Sequence, residues 1–328
     1  MTTKRELVKT VLEGKKVERV PVGFWYHFAP NESIDVFKQP ELREINVSGH
    51  EAFIQDFSPD FIKLMSDGYF IYPNKKIASA TSIKDLANIE PLGENHQWIT
   101  DQVSLVKELR TLFSEDIYSF YNIFAPATYF KFLLRGNDKL LAKFILEDAQ
   151  STAKVLSVIA SDLAILSKRV IEEAGADGIY FSTQNIQSEN ISEELFEQTV
   201  KKSDLEVLTV AEQVGGVNIL HVCGFAGASN QLEEFKDYPS KIVNWATNIE
   251  KVSVAEGQQI FKNKVVLGGF GNTTSDLLYR GEKEEIKQAT KALVEETNGI
   301  NLLIGADCTV PREIDLAHLN WVREAAAE

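Results

Sequence analysis

The sequence predicts an α/β fold in which parallel strands and helices alternate into a (β/α)8 TIM barrel, preceded by a short helical extension. Three observations predict it. Short apolar runs rich in β-branched and aromatic residues recur along the chain, each followed by a longer stretch of helical periodicity. The runs reach a count of eight, which suits a closed parallel barrel. The G-x-G-x-x-G turn that an open dinucleotide-binding sheet places after its first strand is absent from that position.

The extension comes first. Thr3 and Glu6 have capping-box spacing, Leu7, Val8, Val11 and Leu12 form one apolar stripe, and Gly14 follows as a stop, so residues 1–18 read as a helix flanking the barrel. Strands are expected at 20–27 (VPVGFWYH), 61–67 (FIKLMSD), 117–125 (IYSFYNIFA) and 177–184 (DGIYFSTQ). Four more are expected at 217–223 (VNILHVC), 241–246 (KIVNWA), 264–270 (KVVLGGF) and 301–308 (NLLIGADC). Between them, Val103, Val106 and Leu109 share a helical face, Ser192 is placed as an N-cap, and residues 133–175 hold two or more helices. Residues 28–60 form a long insertion after the first strand. No Pro/Gly/Ser linker, charge block or low-complexity tract divides the chain, which predicts one domain over 1–328.

Composition excludes several classes of function. With 44% hydrophobic and 25% charged residues the chain can bury a sizeable core, yet no stretch approaches the roughly 18 apolar residues of a membrane span. A formal charge of −14 opposes attraction to nucleic acid or anionic lipid. The start of the sequence is charged and periodic rather than a basic flank before an apolar block, so a cytoplasmic location is expected. Two cysteines in that setting leave metal binding, thiol chemistry or packing rather than a structural disulfide.

In a barrel of this type the chemistry sits at the C-terminal strand ends, so residues there rank as candidates. They are Tyr26, His27, Asp67, Ser182, Gln184, His221, Cys223, Asn244, Trp245, the 269–272 turn, Asp307 and Cys308. His221 and Cys223 stand at i and i+2 on one strand and therefore share a face. Cys308 ends the eighth strand on the same rim. One imidazole and two thiols are three soft ligands, a set that leaves a tetrahedral Zn²⁺ one open position. Core packing and a redox pair are the competing readings, because free Cys usually just packs. GGFGNTT, at 268–274, reads as a tight turn in preference to an anion cradle, and His50, His96 and His318 read as surface or packing residues.

HVCG at 221–224, followed by GADCTVP at 305–311, resembles the H-x-C…C zinc signature of the methyltransferase branch of the uroporphyrinogen decarboxylase family. That branch includes the methylcobalamin:coenzyme M methyltransferases. Runs such as GKKVERVPVGFWYH, FIKLMSDGYF, GADGIYFSTQ and VVLGGFGNT extend the similarity along most of the chain. The resemblance implies a (β/α)8 barrel, zinc on His221, Cys223 and Cys308, a homodimer, and a corrinoid delivered on a partner protein, since no D-x-H-x-x-G module is present.

The decarboxylases of the family carry M-R-Q-A-G-R after the first strand to hold tetrapyrrole carboxylates. Here the stretch is WYHFAP, with Tyr26 and Pro30 in place of both arginines, Phe132 in place of a tyrosine, and Cys308 in place of a histidine. Burying carboxylates without a cationic partner costs several kcal/mol each. Asp67, in SDG, matches the aspartate that binds pyrrole nitrogens there. Two thiolates and an imidazole make zinc a poor activator of water but leave it able to lower the pKa of a thiol. The expected activity is therefore zinc-dependent methyl transfer to a small-molecule thiol, with Asp67 and Tyr26 as catalytic candidates. His27, Ser182, Gln184, Asn244 and Trp245 are the candidates for substrate binding. Uroporphyrinogen decarboxylation and a non-catalytic zinc- or corrinoid-binding barrel are the alternatives.

Overall fold

Strands covered on both faces read as continuous apolar runs, and consecutive parallel strands need a crossover between each pair. The computed structural model, which describes residues 2–31, 34–134, 138–184, 191–224 and 227–328, has this pattern. Seven parallel strands pair in chain order: β1 (Phe61–Leu64), β2 (Tyr118–Phe124), β3 (Gly178–Gln184), β4 (Ile219–Cys223), β5 (Ile242–Trp245), β6 (Val265–Phe270) and β7 (Leu302–Ala306). Helices Gln97–Arg110, Ala149–Glu172, Lys202–Gln213, Val254–Ile260 and Lys283–Thr297 are the main crossovers.

Alternation along the strands splits the core in two. Phe61, Phe120, Tyr180, Ile219, Ile242, Leu267 and Leu303, one from each strand, lie in a single cluster with Trp25. Edge strands β1 and β7 can share a cluster only if the sheet curls. The residues between them, such as Ile62, Ile123, Phe181, Val222, Val243, Val266 and Ile304, face outward into a larger cluster with the helices.

Helix Lys4–Leu12 closes the N-terminal end of the curl. The expected capping box is formed by Thr3 and Glu6, and Val8, Val11 and Leu12 enter the inner cluster. Burial of each contributes about 2 kcal/mol. Arg5 fixes the helix through Asp177 at the foot of β3, 2.7 Å away, and lies over the Tyr118 ring.

The sequence predicts eight strands, and among the described residues the structure forms seven. The run at 20–27 is not a strand but makes one parallel bridge, Val22 to Ile304. Pro21 has no N–H to donate, and the Val22 N–H goes to the Asp60 carboxylate (2.8 Å) instead of to a ladder. Asp60 is itself held by two bonds of 2.6 Å from Arg19. The segment still reaches both edges of the sheet, because Asp60 N–H donates to the Val22 carbonyl while Gly23 N–H donates to Ile304. A side chain at position 23 would lie 2.5 Å from the Phe61 ring, so this close approach requires glycine.

Other expected features have direct counterparts. Val103, Val106 and Leu109 are buried on one helix, and Ser192 accepts from the Leu195 N–H as an N-cap. The insertion carries helix Glu41–Phe57, and helices Asp138–Glu147 and Ala149–Glu172 occupy the stretch after Leu133, where residues 135–137 lie outside the described set. No helix among the described residues is long and apolar enough to cross a membrane.

His50 ties the insertion to the sheet. Its ring is fully buried, Nδ1 donates to the Asn46 carbonyl (2.8 Å), and Nε2 accepts the Met65 N–H (3.0 Å). A second ring proton would face an N–H, and burial already disfavours the charged form, so the pKa is pushed down to about 4. An unfolded histidine titrates near 6.5, so the unfolded state binds the extra proton first as pH falls. The contribution is complete above about pH 6.5 and is lost on the way down to pH 4, about 3 kcal/mol in all. His50→Gln keeps one donor and one acceptor but does not titrate. Chemical denaturation across pH 4 to 6.5 should show the wild type losing about 3 kcal/mol more than this variant, and parallel curves would refute the assignment.

Candidate metal and thiol site

The centre is assembled from the ends of β4 and β7 over a support built from β3 and β5. Register places Ser182 beside His221, Gln184 beside Cys223, and His221 beside Asn244. His221 and Cys223 point inward from β4, as their i, i+2 spacing requires. Cys308, two residues beyond β7, bends in to join them. One ligand atom from each of the three lies within 4.8 Å of the others. Neither cysteine forms a disulfide among the described residues.

The protonation of His221 follows from its neighbour. The Asn244 Nδ2 donates to the Leu267 carbonyl (2.7 Å) and the Ala306 carbonyl (3.1 Å), which uses both amide hydrogens. Oδ1 of Asn244 must then accept, and it takes the Tyr180 hydroxyl (3.0 Å) and the Nδ1 of His221. His221 therefore carries its proton on Nδ1 and a lone pair on Nε2. Nε2 is buried without a hydrogen-bond partner among the described residues. A bare ring nitrogen of this kind is costly to bury and is the donor a metal ion needs.

The sulfurs complete a set that suits a soft divalent ion. The hydrogen bond from Cys223 holds the Cys308 thiol well below its ordinary pKa, burial opposes this, and the Lys63 ammonium reinforces it. Tetrahedral zinc would set its two sulfurs about 3.8 Å apart, inside the 4.8 Å within which the three donor atoms lie here.

A cavity of about 430 Å³ opens above the cluster and includes Cys223 and Cys308 in its wall. Phe70, Phe124 and Phe132 form its aromatic side, with Phe70 and Phe124 centroids 4.8 Å apart. Ser182, Gln184 and Asn272 form a polar side. Arg312 joins two loops at the rim by donating to the carbonyls of His27 (3.1 Å) and Ala29.

Lys63 also lines the cavity, and sequence reasoning missed it. Its side chain points inward from β1, is almost entirely buried, and holds its ammonium 4.1 Å from the Tyr180 ring centroid. The available signal was a single lysine inside the apolar run FIKLM.

Of the predicted substrate-binding residues, His27, Ser182 and Gln184 line the cavity, whereas Asn244 lies beneath it as the orienting group of His221. Trp245 points to the helices: its indole donates to the Val252 carbonyl (2.9 Å) and packs on Gly257, where a Cβ would fall 2.0 Å from the ring. Tyr26, a predicted catalytic residue, packs on Phe28 and Phe53 away from the cavity wall. Asp67 does not line the cavity either; its carboxylate accepts from His27 Nδ1 (2.7 Å), Phe28 N–H (2.7 Å) and Ala29 N–H (3.0 Å). Burial would raise its pKa, but these bonds outweigh it and the net shift is downward. Asp307 is outside the cluster too, held by Thr247 at 2.9 Å and pushed up to about 6 by burial. The GGFGNTT turn is filled by Asp276, which accepts the Thr273 N–H at 2.7 Å.

Comparison with curated proteins finds no match. Among solved structures, a methyltransferase from Methanosarcina mazei superposes with a TM-score of 0.72 over 99% of this chain and 98% of its own, at 15% identity. A GH5 xyloglucan-specific endo-β-1,4-glucanase from a metagenomic library covers 99% of both chains at 10% identity, but its TM-score is 0.47. The methyltransferase likeness establishes a shared fold. The family model described as uroporphyrinogen decarboxylase (URO-D) matches residues 65–328, well over half the chain, and the protein therefore belongs to the uroporphyrinogen decarboxylase family.

Proposed function

We propose that this chain is a zinc-dependent methyltransferase of its family, with His221, Cys223 and Cys308 as ligands and a small-molecule thiol as methyl acceptor. The observation that carries this reading is the convergence of two sulfurs and one bare, buried imidazole nitrogen beside a small-molecule-sized cavity. When bound, zinc supplies Lewis acidity that keeps an acceptor thiol deprotonated without abolishing its nucleophilicity. The chain's own residues do the rest. Asn244 holds the His221 tautomer, the phenylalanine wall excludes water from one side, and Ser182 and Gln184 offer polar contacts to an acceptor. We place the methyl donor, a corrinoid, on a partner protein that meets the cavity mouth, and we expect the family's eight-position barrel and homodimer.

The cavity favours this reading over tetrapyrrole decarboxylation. Among the described residues its wall carries two cations, Lys63 and Arg312, and the Arg312 guanidinium donates to backbone carbonyls. That is thin provision for an octacarboxylate.

Two experiments test the proposal. Elemental analysis should find about one zinc per chain, lost in Cys308→Ser together with thiol-alkylating activity. A metal-free protein that alkylates thiols at full rate would overturn it. Asn244→Ala removes the partner of His221 Nδ1 and should weaken zinc affinity about 10- to 100-fold in a chelator competition. Unchanged affinity would show that the amide does not orient the ligand.

A further inference from the structure

The cavity wall holds a polar atom whose need the soft-ligand cluster does not meet. Among the described residues, Gln184 is the one that both lines the cavity and carries a buried side-chain oxygen, Oε1, with no hydrogen-bond partner. The residue is 8% exposed. A carboxamide oxygen is an acceptor only, and leaving it buried and unpaired is costly. The bare nitrogen of His221 is explained by the sulfurs beside it; the Gln184 oxygen is not. This wall is short of one hydrogen-bond donor.

Its place in the sheet says where that donor must come from. Gln184 ends β3, and parallel pairing sets it beside Cys223 on β4. Neighbouring strands run about 4.8 Å apart, so a group that meets the amide also stands close to the sulfurs. Ser182, two residues earlier, shares the inward face, is 4% exposed and brings a hydroxyl to the same wall. Phe124 pairs with Ser182 across β2 and β3, and with Phe70 and Phe132 it makes the aromatic side of the cavity. Both polar groups are neutral and stand on a paired strand, which fixes their position better than a loop would. The last torsion of a glutamine is broad, so Oε1 can turn to the cavity face while the rest of the side chain stays in place.

We propose that Gln184 determines the specificity of the cavity, and that the acceptor thiol carries a neutral hydrogen-bond donor, a hydroxyl or an amide N–H, within about three bonds of its sulfur. This rests on the thiol-methylating reading above. The donor closes on Oε1, Ser182 offers a second contact to the same group, and the carbon chain between donor and sulfur lies against the phenylalanines. An isosteric thiol with a methyl group in place of the donor leaves Oε1 unpaired in a dry wall and is rejected for that reason. An ammonium would call for a carboxylate instead. Among the described lining residues the carboxylate is that of Glu313, which is exposed to solvent.

Calorimetric titration of the zinc-loaded protein with two thiols of the same size, 2-mercaptoethanol and 1-propanethiol, reads the donor directly. The wild type should bind 2-mercaptoethanol about 10-fold more tightly than 1-propanethiol. Gln184→Met, which keeps the length of the side chain and removes the amide, should lose that preference by weakening 2-mercaptoethanol alone. Comparing the same two thiols in both proteins cancels their different acidities. Zinc content should be equal in the two proteins, which separates recognition from damage to the metal ligands. No preference in the wild type, a preference retained in Gln184→Met, or an equal loss of affinity for both thiols overturns the role of Gln184 and leaves the thiol reading standing. Tighter binding of mercaptoacetate than of 2-mercaptoethanol by the wild type overturns the neutral donor, because the wall would then select an anion. Failure of the zinc-loaded wild type to bind any of these thiols overturns both readings.

Discussion

Two backbone carbonyls, of Leu267 on β6 and Ala306 on β7, take both amide hydrogens of Asn244 on β5. Because those hydrogens are used, the amide oxygen can only accept, and the proton of His221 is forced onto Nδ1. The barrel-like curl of the sheet, the register of β4 against β5, and the bare nitrogen facing the sulfurs are therefore one constraint seen at three scales. If β5 slipped by one residue, Asn244 would face the helices and His221 would lose its tautomer.

The inner core is built in two layers with different chemistry. Toward the N-terminal end it is apolar, with Phe61, Tyr118, Phe120, Ile242, Val265 and the helix Lys4–Leu12 excluding water. Toward the C-terminal end the inward positions become Lys63, Asn122, Ser182, His221 and Asn244, all buried. A dry floor strengthens every electrostatic interaction above it. Lys63 then counts for more than its single charge suggests: placed beside the sulfurs, it contributes to holding the Cys308 thiol down.

Sequence reasoning reached the cluster of His221, Cys223 and Cys308 because its information is local and periodic. An i, i+2 pair on a strand shares a face in any register, and two scarce cysteines at strand ends restrict the possibilities further. It also located the strands, whose buried runs are continuous. It failed where the outcome depends on hydrogen-bond competition. VPVGFWYH has strand composition, but Pro21 and the Asp60 carboxylate remove the ladder donors, leaving one bridge. Trp245 lies next to Asn244 and so takes the opposite face, a consequence of alternation that a list of strand-end residues ignores. Where Tyr26 and Asp67 sit is likewise set by contacts that no local pattern carries: one packs on phenylalanines and the other bonds His27. Lys63 was overlooked because a charged residue within an apolar run resembles noise until its cation–π partner is known.

X-ray absorption at the zinc edge tests the central claim most directly, since it reads the ligands without reference to activity. The account predicts two sulfurs at about 2.3 Å and one imidazole nitrogen at about 2.0–2.1 Å. It also predicts a fourth light atom that is replaced by a third sulfur when a thiol is added. A shell of nitrogen and oxygen alone, or a closed set that does not change with thiol, would contradict it.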